Sequence, residues 1–273
     1  MLGDIILLRA RERNEHNQAF ADDLRKASGC VVRFLLDERG NKVPSADPEV
    51  LSLNQESYAS LGVYAPPDVA WRCGDYGAYL AWRGDPSRPY YWVIEDDVRI
   101  AGDAKEFFRL CRSSSSDFLV AHLRKTVRGN FWWPHTISKD VQAFACLFPL
   151  TRLSNRAVEA CYNKRKKHTR QLSRRALWPN DEGLVATTVA AKGFFLQDFN
   201  DLQPDLWDEE SYSVTGLPRT SVDATGVPKL IHPVRFKERS AEHVKQTSWE
   251  NVSSLRYRIM QFAMRQVNAH RQW

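Results

Sequence analysis

Two short runs of consecutive apolar residues near the start of the chain constrain its fold most. Ile5-Ile6-Leu7-Leu8 and Val31-Val32-Arg33-Phe34-Leu35-Leu36 are rich in branched side chains and almost uninterrupted by polar ones, the pattern of strands buried in a largely parallel sheet. Between them lies a polar stretch in which Phe20 and Leu24 stand at helical spacing. A strand, a helix and a second buried strand form the opening of a doubly wound nucleotide-binding architecture.

The pattern continues. A helix is expected from about Gly74-Asp75, with Tyr76, Tyr79, Leu80 and Trp82 on its apolar face, stopped at Gly84-Asp85-Pro86. Further strands are expected at Tyr91–Ile94, Phe118–Leu123 and Ala143–Phe148, with a helix face at Phe107, Phe108 and Cys111 and another helix after Pro149 carrying Val158 and Cys161. Pro179-Asn180-Asp181-Glu182 opens a helix whose acidic first turn suits the helix dipole and whose core face uses Leu184, Val185, Thr188 and Val189. Residues 44–67 read as irregular or mixed, and 201–233 as loop.

The expected fold is α/β: a single Rossmann-like domain with a mostly parallel central sheet flanked by helices. It spans residues 1–240, with a nucleotide half at about 1–125 and a second half at about 126–240. Residues 241–273 form a basic amphipathic helix around Leu255, Ile259, Phe262 and Val267, packed on the domain or on a membrane surface. No apolar run reaches the ~20 residues a membrane-spanning helix requires, and Asp4 stands where a secretory leader would be basic and then apolar. A cytoplasmic location is expected, with peripheral contact at the inner face of the membrane through basic segments. Five widely spaced cysteines without a Cys-x-x-Cys pair fit reduced thiols better than a disulfide framework or a structural zinc site. The net charge of +6 points to an anionic partner without saying which.

The chemistry concentrates at Glu95-Asp96-Asp97, directly after the strand Tyr91-Trp92-Val93-Ile94. Open α/β sheets bind ligands beyond the carboxyl ends of their strands. Three adjacent carboxylates there repel one another unless a cation or hydrogen bonds compensate them. Hard oxygen ligands select Mg²⁺ or Mn²⁺. The alternative is a solvated acidic turn that caps the next helix.

Val93-Ile94-Glu95-Asp96-Asp97-Val98 resembles the Asp-x-Asp or Glu-Asp-Asp motif of GT-A glycosyltransferases, on general appearance those that build bacterial surface polysaccharide or lipopolysaccharide. The resemblance implies a GT-A-like fold and a nucleotide-diphosphate sugar as donor. It makes Asp97 a direct ligand of Mn²⁺ or Mg²⁺, with Glu95 and Asp96 on the donor or on metal-bound water, and His232 a further metal ligand. It places Arg9, Arg11 and Asp37 near the nucleotide base, Arg72 and Asp75 at a helix start packed on the donor, and Arg235, with Lys237, on the leaving diphosphate. Asp181 or Glu182 becomes the base that deprotonates an acceptor hydroxyl, which favours inversion; helix capping is the other role open to this pair. The implied acceptor is a glycan or glycolipid.

Two other readings stand beside this one. The same carboxylates suit a metal-dependent nucleotidyl- or phosphotransferase or a phosphohydrolase, although no Gly-rich phosphate loop accompanies them. The basic block Lys164–His168, continuing to Arg170, Arg174 and Arg175, together with Trp132, Trp133 and Trp178, suits a nucleic-acid-binding protein. The acidic centre of the chain weighs against that, and no nucleic-acid partner is expected. His122, at a strand end, is a weaker competitor for the metal.

Overall fold

The computed structural model describes residues 3–38, 47–126, 142–172, 175, 178–213 and 226–234. The chain divides into two compact units. Met1–Leu217 with Val222–Pro233 carries every element below; of Pro218–Ser221 with Val234–Trp273, only Val234 is among the described residues. Arg235, Lys237, Trp132, Trp133, Arg174 and the expected terminal helix therefore lie outside the described residues.

In chain order the elements are β1 (Ile5–Ala10), α1 (Glu15–Ser28), β2 (Val31–Asp37), β3 (Val50–Leu53), α2 (Gln55–Leu61), α3 (Val69–Arg72) and α4 (Tyr76–Gly84). There follow β4 (Tyr90–Glu95), β5 (Arg99–Ala101), α5 (Ala104–Ser113), β6 (Phe118–Thr126), β7 (Ala143–Ser154), α6 (Asn155–Thr169), α7 (Asp181–Ala191), β8 (Leu196–Asp198) and β9 (Lys229–Ile231). Seven strands form the central sheet in the order β3-β2-β1-β4-β7-β6-β8. All pairings are parallel except the two made by β7, so the sheet is mostly parallel, as the apolar runs required. A separate ribbon pairs β5 with β9 antiparallel, Arg99 opposite Ile231.

Alternation along the strands divides the core between the two faces of the sheet. Ile5, Leu7, Leu35, Tyr91 and Val93 pack with Tyr58, Tyr76, Tyr79, Val158, Cys161 and Val185 on the side of α2, α4, α6 and α7. Ile6, Leu8, Phe34, Trp92 and Ile94 pack with Phe20, Leu24, Phe107 and Phe108 on the side of α1 and α5. Gly77 permits the close seat of α4 on the sheet, because a Cβ there would lie 2.0 Å from Leu35 Cδ2. Helix α7 is buried on nearly all sides from Asp181 to Val189, as expected of a helix apolar around its whole circumference. Cys73, Cys111, Cys146 and Cys161 are buried, and all five thiols are free.

Three expectations need correction. The stretch read as mixed contains β3 and α2, the latter opened by a reciprocal cap between Asn54 and Ser57. The strand expected to stop at Phe148 runs through Pro149 to Ser154, and the following helix begins only at Asn155. Proline is tolerated there because the pairing of β7 with β6 jumps from Leu147 to Thr151, so Pro149 sits in the irregularity and no ladder bond needs its missing N–H. The loop expected over 201–233 contains β9, and Tyr212 bridges to His232.

Candidate active site

Parallel register explains why the first acid of the triplet does not stand alone. Arg9 on β1 lies opposite Glu95 on β4, and both side chains share the parity of Leu7 and Val93, which face α7. Arg9 Nη1 donates to Glu95 Oε1 at 2.5 Å. The next residue, Asp96, has the opposite parity and turns toward α1, where Asn17 Nδ2 approaches Asp96 Oδ2 at 3.4 Å. The β4–β5 turn then brings Asp97 toward the residue that follows β9. His232 Nε2 lies 3.6 Å from Asp97 Oδ1.

The ring of His232 is fixed by a short segment that straddles it. His232 Nδ1 stands 2.8 Å from the Ser213 carbonyl oxygen and donates to it, while the His232 backbone N–H donates to Ser211 O at 2.8 Å and its carbonyl accepts from Ser213 N at 3.1 Å. With Nδ1 as the donor, Nε2 is the ring nitrogen that faces Asp97, and without a proton it would offer its lone pair there, the tautomer of a metal-ligating histidine. Ligand atoms of Glu95, Asp97 and His232 all lie within 4.8 Å of one another. Asp97 Oδ1 is buried without a hydrogen-bond partner. Burial and the neighbouring Glu95 push the Asp97 carboxyl up to about 6 despite His232. A buried carboxylate oxygen with no hydrogen-bond donor, next to an imidazole nitrogen and a second carboxylate, is a group of ligand atoms that could hold a divalent cation.

The second constellation sits at the amino end of α7. Asn180 caps the helix by accepting from Gly183 N at 3.2 Å. Asp181 Oδ2 accepts from Gly74 N at 2.6 Å, and its Oδ1 accepts from Glu182 N at 2.8 Å. Glycine at 74 leaves room for this approach, since a Cβ would stand 2.7 Å from Asp181 Oδ2 and 3.1 Å from Arg9 Nη1 and one of them would have to shift. Arg9 therefore reaches both acidic groups, and the charges of Glu95, Asp181 and Asp37 hold its guanidinium protonated against burial. Burial and Asp75 push the Asp181 carboxyl up to about 7, although Arg9, Arg165 and the Gly74 N–H pull the other way. Burial and then Asp181 push Glu182 well above the usual carboxylate range, against the Phe148 backbone N–H. Glu182 Oε2 accepts from Asn180 Nδ2 at 3.1 Å.

Other expected site residues are placed differently. Asp75 is wholly buried: Arg165 Nε and Nη2 donate to its two oxygens at 2.7 and 2.9 Å, and Tyr79 OH donates at 2.6 Å. It supports the site from beneath and has no surface to offer a donor. Arg72 gives Nε and Nη2 to Asp68 and Nη1 to the Trp178 carbonyl, so these donors brace α3 against the approach to α7. Asp37 stands at the carboxyl end of β2 within electrostatic reach of Arg9, and Arg11 is exposed just beyond β1. His122 stacks on Trp207 with ring centroids 3.7 Å apart, and its Nε2 lies 2.7 Å from the Tyr212 carbonyl oxygen; it is a packing residue. Trp178 and Arg165, read in the sequence as part of a basic, aromatic surface, are buried. No helix among the described residues is long and apolar enough to cross a membrane.

Gly74, Asn180 and Tyr212 were not singled out for the site. Gly74 and Asn180 lie inside segments that were, and their signal is local: a glycine where backbone meets carboxylate, and a capping asparagine before two acids. Tyr212 has no sequence signal, because a strand bridge to a residue 20 positions later places it.

No protein-family model and no curated protein matches the chain. Among solved structures, it is similar to a glycosyltransferase involved in the glycosylation of the major capsid of PBCV-1 (11% identity, 71% of this chain and 81% of that one, TM-score 0.37). It is also similar to the inositol-1-phosphate CTP transferase from T. maritima (8%, 73% and 86%, 0.37) and to mouse xyloside xylosyltransferase 1 (12%, 72% and 84%, 0.35). Likeness this slight carries no argument about function; the site geometry has to carry it.

Proposed function

We propose that the chain is a glycosyltransferase that binds a nucleotide-diphosphate sugar with Mn²⁺ or Mg²⁺ and transfers the sugar with inversion to a hydroxyl of a glycan or glycolipid. The observation that carries the reading is the buried, partnerless Asp97 Oδ1 facing His232 Nε2 beside Glu95, joined through Arg9 to the acids at the start of α7. Glu95, Asp97 and His232 would hold the cation, whose chemistry is to neutralise the diphosphate as negative charge collects there.

The protein's own groups do the rest. Glu182 is the base: its carboxylate takes the proton of the acceptor hydroxyl as that oxygen bonds to the anomeric carbon, while the bond from that carbon to the diphosphate oxygen breaks. Its surroundings make it a strong proton acceptor once ionised. Asp181 is the brace, since both its oxygens are engaged by backbone N–H groups. Arg9 fixes Glu95 and keeps the two acidic groups in register.

The test is thermal stabilisation by UDP, GDP, CDP and dTDP, each with and without Mn²⁺. At least one is expected to stabilise the protein only when Mn²⁺ is present, and Asp97→Ala is expected to abolish that effect. No metal-dependent stabilisation by any of them would sink the reading. Turnover of the matching sugar nucleotide should release nucleoside diphosphate; release of pyrophosphate or of nucleoside monophosphate instead would mark a different phosphorus or sugar chemistry.

A further inference from the structure

We infer that the Tyr212 hydroxyl is a positioning donor of the Glu95–Asp97–His232 site, hydrogen-bonding the carboxylate oxygen that a bound cation leaves over. The inference rests on the cation site proposed above and extends it to a residue outside the acidic motif.

Tyr212 bridges to His232, with their ring centroids 5.3 Å apart. The same segment supplies Ser211 O, Ser213 N and Ser213 O to His232, so the backbone that aims the imidazole also aims the phenol. Tyr212 is fully buried, and its hydroxyl proton has no acceptor within hydrogen-bond distance. A phenol is ordinarily kept in a core only where its O–H finds a partner; otherwise phenylalanine packs as well without the penalty.

Asp97 Oδ1 is a second buried polar atom without a partner, and it belongs to the same site. Burial first, and then the charges of Glu95 and Asp97, keep the phenol protonated. The Leu150 backbone acts in the opposite sense, as an N–H donor does; what the phenol lacks is an acceptor for its own proton. A carboxylate has two oxygens, and coordination of one leaves the other to accept. Donors of this kind fix the orientation of ligating carboxylates.

Tyr212→Phe removes the O–H and keeps the ring. The measurement is a titration of the full chain with Mn²⁺ alone, following free Mn²⁺ by its paramagnetic resonance, alongside thermal unfolding in excess chelator. Tyr212→Phe is expected to weaken Mn²⁺ binding by roughly 10–100-fold, with the unfolding temperature in chelator unchanged or raised. If wild type binds Mn²⁺ and Tyr212→Phe binds it within twofold, the inference fails and the cation site stands. If Tyr212→Phe unfolds earlier in chelator, the hydroxyl serves packing and the inference is overturned. If wild type binds no Mn²⁺, the proposed function falls first and takes the inference with it.

Discussion

Asp181 and Glu182 are adjacent acids with unlike surroundings, and the difference separates the roles proposed for them. Asp181 accepts from two backbone N–H groups, one of them on Gly74 more than 100 residues away, and such a carboxylate is not free to take up and release a proton in each turnover. Glu182 accepts from the Asn180 side chain and is acted on by one backbone N–H, that of Phe148, and burial still holds it well above the usual carboxylate range, which leaves more of its basicity available. Glu182→Gln preserves shape and the Asn180 contact but removes the base. It is expected to bind nucleotide and Mn²⁺ as wild type does and to lose roughly 10²–10⁴-fold in turnover. Comparing the nucleotide dissociation constant with kcat decides this; a kcat within fivefold of wild type would return the role of base to another group. The sequence could narrow the proposed base to this pair and no further. Which carboxylate oxygen meets which N–H depends on Gly74, which belongs to a different helix start.

At the scale of elements, the site is held from below by a buried ion pair that joins α6, α4 and the approach to α7. Arg165 is fully buried, pairs with Asp75 through two nitrogens, and gives Nη1 to the Pro179 carbonyl at 2.7 Å. Arg165→Met would leave Asp75 as an uncompensated buried charge, at a cost of about 3–5 kcal/mol. Combining it with Asp75→Asn should recover a large part of that, because the charge is then gone as well. Urea unfolding of the single and double variants measures both; a loss under about 1 kcal/mol for Arg165→Met would contradict the account. These two residues also show what sequence reading cannot reach. Asp75 resembled a ligand-facing acid and Arg165 part of a solvated basic block, since a residue's own segment does not reveal that its partner is 90 positions away. Strands fared better: β1, β2 and β4 were legible from continuous apolar runs, whereas the extension of β7 past Pro149 depends on where the ladder of a neighbouring strand breaks. The acidic triplet was visible as a unit, yet the pleat sends Glu95 and Asp96 to opposite faces, and only the β5–β9 ribbon brings His232 to Asp97.

For the whole molecule, this concentration of buried acid sets the pH dependence of stability. Asp97 titrates at about 6, Asp181 at about 7 and Glu182 well above its ordinary value, each raised first by burial; Asp4 and Asp198 are raised as well. The folded protein therefore keeps protons that the unfolded chain releases by about pH 4–5. Their contribution to stability is complete below that range and is lost as pH rises through the folded values, so stability falls between about pH 5 and 8. The depressed carboxyls have the opposite sign. Asp117, and Asp208 at about 2 beside Lys229, contribute stability that is present above about pH 4 and lost only in stronger acid, so they are constant over this window. His122, lowered by burial, also opposes the trend, because it favours the folded state above its unfolded value of 6.5 and loses that contribution on acidification. Among the described residues one lowered histidine stands against three strongly raised carboxyls, so the carboxyls prevail. In chelator the protein is expected to unfold at a higher temperature at pH 5.5 than at pH 8, and Asp181→Asn should flatten the difference. Saturating Mn²⁺ should narrow or reverse it, since a cation replaces protons at the carboxylates and binds better as they ionise. An unfolding temperature in chelator that rises steadily from pH 5.5 to 8 would mean that these acids are not buried as described, and with them the cation site and the base would lose their physical basis.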